Sequence, residues 1–191
     1  MRVPGLGATR LLEFEMSDGP IFVYAATYGS TDVAWADYDE LLGVHAKKLV
    51  GTYDVAVIDR DDGRVRVHKQ EQATEHAAWG GIAVGALVGV LFPAGVVGLA
   101  ALGGVVGGLG AHFSKGLSRG DLKELGEHLM DGEAALIVIG ESRVKEQLDE
   151  ALTHADKSIQ KELDADSKDF KQALDEARME LAKQAAAPVA S

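Results

Sequence analysis

The stretch GGIAVGALVGVLFPAGVVGLAALGGVVGGLGAHFSKG, residues 80–116, decides the fold of this chain. No Asp, Glu, Lys or Arg stands between Gly81 and Ser114, and glycines recur at four-residue spacing. Gly81, Gly85 and Gly89 form one ladder; Gly103 and Gly107, with Gly104 and Gly108 beside them, form another. A glycine inside a helix costs about 1 kcal/mol relative to alanine, so a helix this rich in glycine needs a compensating gain. Close backbone packing between helices supplies one. Pro93 breaks the helical hydrogen-bond ladder and Gly95 permits a turn, so the stretch reads as a helical hairpin with arms over 73–92 and 94–113. Each arm spans roughly 30 Å, marginally the depth of a bilayer core.

Such a hairpin can be covered in three ways. Lipid can cover it, with Lys69, Lys115, Arg119 and Lys123 outside the hairpin and no charge at its tip, as a cytoplasmic positive-inside arrangement requires. Other copies of the chain can cover it, forming a soluble homo-oligomer with a central apolar layer. Its own monomer can cover it, although a domain this small has little surface for the purpose. Glycine is weakly hydrophobic, which counts against insertion, while the acidic surface suits a soluble assembly.

Outward from the hairpin, short apolar runs mark strands. Ile21 to Tyr28 ends at Gly29 and reads as a buried strand; Ser30, Thr31 or Asp32 then caps a helix to about Leu49. Tyr53 to Ile58 and the alternating Val65 and Val67 flank the hairpin signal Asp62-Gly63. After the glycine stretch, Asp121 to Met130 is an amphipathic helix and Ala134 to Ile139 a strand. The order strand, helix, strand, strand, helix, strand predicts an α+β fold, a ferredoxin-like βαββαβ sheet over 21–140 with the hairpin inserted at 73–117. An N-terminal arm, 1–20, precedes it. A charged, amphipathic C-terminal helix and tail, 141–191, follow, with Leu163, Phe170, Leu174 and Leu181 as a stripe for one partner helix.

Composition excludes several classes. The chain has 191 residues and a formal net charge of -11, which argues against nucleic acid as a partner. It has no cysteine, so disulfides and thiolate chemistry are absent. Met1 to Thr9 lacks the regions of a signal peptide, so the expected location is the cytoplasm or the cytoplasmic membrane, without secretion.

No catalytic constellation emerges. Asp59, Asp61, Asp62 and Gly63 resemble a calcium loop, but Gln70 stands where the glutamate ligand is required, and a solvated turn is the better account. The six histidines show no helical metal spacing; His76 and His112, with Glu75, meet only if the hairpin arms are antiparallel. Ser114-Lys115-Gly116 has the wrong order for a phosphate loop, and the glycines run through both arms instead of marking one strand-to-helix turn. Ser114, Ser118 and Ser142 look like caps or loop ends, and the paired charges of the C-terminal helix belong to a solvated face. Trp79 and Phe113 sit at the two ends of the hairpin, as a membrane interface or an oligomer rim would place them.

Tyr53 to Ile58, Asp62 to His68, the glycine hairpin, Leu122 to Glu127 and Gly132 to Val138 together resemble a bacterial family labelled a predicted membrane protein, domain of unknown function 1269. The layout is also similar to general-stress proteins with glycine-zipper insertions. The resemblance covers about Thr52 to Glu141 and implies neither catalytic residues nor cofactors. The reading is a non-enzymatic, self-associating protein whose hairpin inserts in or docks on a membrane, or alternatively forms the core of a soluble homo-oligomer.

Overall fold

Ala134 to Gly140 is buried at every position, and a strand with no polar side chain must lie inside a sheet covered on both faces. The computed structural model, which describes residues 20–46, 52–61, 64–68, 81–93, 96–97, 107–141 and 144–186, shows that arrangement. The strands are β1 (Ile21–Tyr28), β2 (Thr52–Asp61), β3 (Arg64–His68), β4 (Val96–Val97), β5 (Ala134–Glu141) and β6 (Lys157–Leu163). Their order across the sheet is β4-β3-β2-β5-β1-β6. Five strands are antiparallel to their neighbours, and the two-residue β4 adds in parallel at the β3 edge.

Helices among the described residues are α1 (Thr31–Ala46), α2 (Ile82–Leu91), α3 (Gly107–Gly116), α4 (Arg119–Asp131), α5 (Val144–Ala151) and α6 (Ser167–Ala186). Strand alternation assigns them to faces. Ala134, Leu136 and Val138 of β5 meet Ala34, Tyr38 and Leu41 of α1 and Leu148 of α5. Ala135, Ile137 and Ile139 point the other way, into a larger core built with α2, α3, α4 and α6. The chain is thus a mixed α+β protein.

Several expectations change. Taking β1, β2, β3 and β5 as the strands of a ferredoxin-like sheet places β3 between β1 and β2; the structure puts β5 there and β3 outside β2. Exposed Arg64 and Arg66 suit β3 to an edge, whereas wholly apolar β5 needs neighbours on both sides. Residues 157–163, expected as helix, form the edge strand β6; Leu163 and the partly buried Ile159 face the core while Ser158 and Glu162 face solvent. Its helix-like charge content reflects edge exposure. Val96 and Val97, expected in a helical arm, pair with Val65 and Arg66, as β-branched residues favour. The N-terminal arm, 1–19 of the expected 1–20, lies outside the described residues.

The C-terminal stripe finds its partner within the chain. Asp166 caps α6 by accepting the backbone N–H groups of Lys168 and Asp169 at 2.9 and 3.1 Å. Phe170 and Leu174 are buried against the same core as α2 and α3, with Leu181 partly buried beside them. Leu163 of the stripe belongs to β6 and is buried as well.

Candidate functional site

Ile82 to Val88 of α2 are all buried within the monomer, so a domain of this size does cover this part of the glycine-rich segment. Gly85 lies inside that run, and Gly81 precedes it with φ 65°, a left-handed conformation that glycine adopts without strain. Towards the other end the cover thins. A Cβ on Gly89 or Gly108 would meet no atom within 4 Å, and one on Gly110 would touch only Val90 Cγ2 at 3.5 Å. Gly108 and Ala111 are exposed, and Val90, Leu91 and Phe92 are half-buried.

Gly107 begins α3 and Pro93 lies exposed just beyond α2. Gly95, Gly103 and Gly104 lie outside the described residues, as do His76 and Trp79. Phe113 is a core residue, edge-to-face with Phe170 at 5.7 Å between ring centroids. His112 packs on the same ring at 5.9 Å. Two glycines outside the ladders are tightly packed: a Cβ on Gly116 would lie 2.8 Å from the Asp164 carbonyl oxygen, and one on Gly132 would lie 2.9 Å from Thr27 Cβ.

Two buried carboxylates escaped the sequence reading. Asp54 is fully buried and accepts the backbone N–H groups of Gly81 and Val84 at 2.9 and 3.0 Å. A carboxylate brought in by β2 therefore caps α2, where Gly81 has no side chain to do so. Burial pushes the Asp54 carboxyl above its ordinary range, against the backbone donors of Val84, Gly81 and Ala83 and the charge of Arg178, which pull it down. The signal was present, since Asp54 interrupts the otherwise apolar run Tyr53 to Ile58 and such a charge requires a partner.

Asp37, also fully buried, joins three elements. Its Oδ2 accepts the Tyr28 hydroxyl at 3.0 Å and the His154 backbone N–H at 3.2 Å, while its Oδ1 lies 2.5 Å from His154 Nδ1. The imidazole is half exposed. The hydrogen bond to Asp37, then the charges of Asp37 and Glu40, raise its pKa above the ordinary histidine value. A carboxylate holding Nδ1 leaves Nε2 outward, the orientation of a general-base histidine. The neighbouring hydroxyl, Thr153 Oγ1, lies 3.4 Å from Nδ1, which is the wrong nitrogen for a Ser/Thr–His–Asp relay.

Among the described residues, no group of three or more His, Asp or Glu side chains is arranged to hold a metal ion, and no helix is long and apolar enough to cross a membrane. The calcium-like residues Asp62 and Gly63 lie outside the described residues; Asp61 pairs with Arg64 across the strands they connect.

No curated protein and no solved structure matches the chain. A family model described as Protein of unknown function (DUF1269) matches residues 77–177. The match starts later and runs further than the resemblance read from the sequence, taking in α2 to α5, β5, β6 and part of α6. It covers more than half of the 191 residues, and the chain belongs to this family.

Proposed function

We propose that this protein works by associating with copies of itself, without catalysis, in the cytoplasm or at the inner face of the membrane. The contact is the small-residue end of α2 and α3. The supporting observation is the open space at Gly89 and Gly108, beside exposed Ala111 and half-buried Val90, Leu91 and Phe92. Helices with small residues at such positions approach closely, as in a glycine zipper. Charge selects the occupant. A chain carrying -11 repels its own copies over most of its surface, and the stretch between Gly81 and Ser114 has no acidic residue. A second copy offers the same uncharged patch, so a self-complementary pair satisfies both.

The test is sedimentation equilibrium of wild type and Gly108→Glu. Position 108 lies in the first turn of α3, where an acidic side chain suits the helix dipole, so the variant retains its fold. Wild type is expected as a multimer and the variant as a monomer with an unchanged circular dichroism spectrum. A monomeric wild type at about 100 μM, well above a micromolar dissociation constant, overturns the proposal. Salt-resistant flotation with vesicles, lost in the variant, would make lipid the occupant instead.

For the fold we infer a ferredoxin-like core different from the one expected. The units β1-α1-β2 and β5-α5-β6 each join strands two places apart, and each unit encloses a strand of the other. The segment carrying β3, β4, α2, α3 and α4 is then one long insertion.

A further inference from the structure

The pair formed by His154 and Asp37 is asymmetric. The carboxylate is wholly buried, with a side-chain exposure of 0%, while the imidazole is exposed by 51%. A buried charge is thus compensated by a group that solvent protons reach directly. Asp37 takes both the ring nitrogen and the backbone N–H of His154, so the turn between α5 and β6 is held to α1 at two points. The same turn is held to β1 by the Asp156 N–H, which donates to the Thr27 carbonyl at 2.9 Å.

We infer that His154 and Asp37 form a proton-operated clasp that fastens the α5–β6 turn onto α1 and loosens when the imidazole is deprotonated. A charge-assisted hydrogen bond is roughly twice as strong as a neutral one, so a neutral ring keeps the contact but weakens it. The buried carboxylate then loses its nearest cation while remaining desolvated.

The surrounding groups favour the charged ring. From α1 come Asp37 and Glu40, and from β1 comes Tyr28. Tyr24 of β1 bonds Asp149 of α5 at 3.4 Å and faces Ser158 of β6. The turn itself adds Thr153, whose hydroxyl meets the ring, and Asp156. These groups are acidic or neutral near pH 7, so the imidazolium persists above the ordinary value of 6.5. A group whose folded pKa is raised in this way contributes fully below 6.5 and loses its contribution as pH rises through the folded value. The clasp is closed in acid and opens in alkali.

The experiment is NMR on the full chain from about pH 5.5 to 9, a range bracketing the histidine value. It follows the His154 ring together with exchange of the His154 and Asp156 amides, corrected for intrinsic rates. His154 is expected to titrate above 6.5. Amide protection is expected to fall through the same midpoint, by about tenfold for each unit of upward shift, while β5 amides stay protected. In His154→Gln the side-chain amide donates to Asp37 without titrating, and protection is expected to be independent of pH. The inference is overturned if His154 titrates at or below 6.5, or if both amides stay protected through its midpoint. If the variant does not fold, the wild-type titration decides alone.

Discussion

The carboxylate of Asp54 receives the N–H of Val84, 30 residues further along the chain, across the boundary between sheet and helix. The start of the most apolar helix is therefore fixed from outside that helix. Asp54→Ala leaves buried N–H groups of Gly81 and Val84 without an acceptor, and is expected to cost about 1–3 kcal/mol in urea unfolding.

The same residue carries a pH dependence of definite sign. Burial raises the folded pKa above the ordinary 3.8, so the native state binds the proton more tightly than the unfolded chain. Stability due to this group then falls as pH rises from about 3.8 through the folded value. The difference in unfolding free energy between wild type and Asp54→Asn is expected to fall over that range. A difference that grows with pH would contradict the assignment.

Glycine substitutions should separate into two classes. Gly116→Ala and Gly132→Ala place a methyl against fixed backbone, at the Asp164 and Ala134 carbonyl oxygens, and should each lose about 1–3 kcal/mol. Gly89→Ala meets open space within a helix and should be neutral or stabilising by up to about 1 kcal/mol. Chemical denaturation of the three variants measures both.

Phe113 and Phe170 tie α3 to α6 by an edge-to-face contact, with both rings fully buried. Phe170→Ala should cost about 3–5 kcal/mol, and a double-mutant cycle with Phe113→Leu should return a coupling of about 0.5–1.5 kcal/mol. A coupling near zero would mean the rings act only as separate volume.

Ser118 and Asp121 form a reciprocal capping box at the start of α4. Ser118→Ala should lower stability by about 0.5–2 kcal/mol, with little change elsewhere because the site is exposed. Thermal unfolding measures the loss.

Elements whose pattern is dictated by burial were legible in the sequence. The runs Ile21 to Tyr28 and Ala134 to Ile139 are apolar because both sides of those strands are covered, and the strands lie where expected. The leucines of α4, with Leu125 and Leu129 buried, behaved likewise. The edge strand β6 was hidden because half its side chains face water and its charges imitate an exposed helix. Asp37 and Asp54 were hidden for a different reason. Their partners, His154 and the start of α2, are distant in the chain, so even the charge that interrupts the apolar run at Asp54 leaves the group it meets unnamed. Gly116 and Gly132, outside the ladders, drew no notice in the sequence because what crowds them, Asp164 and Thr27, is distant in the chain.

The sheet order also governs what happens while the chain is being made. Tyr28 of β1 registers with Ala134 of β5, and Ile21 with Leu163 of β6, so β1 leaves the ribosome with both its neighbours roughly a hundred residues or more behind it. Translation at about 5–20 residues per second leaves that apolar strand exposed for on the order of 10 s. Throughout that interval the nascent chain carries Ile21 to Tyr28 without a lattice to join, a state that invites binding by a chaperone before β5 and β6 have been synthesised.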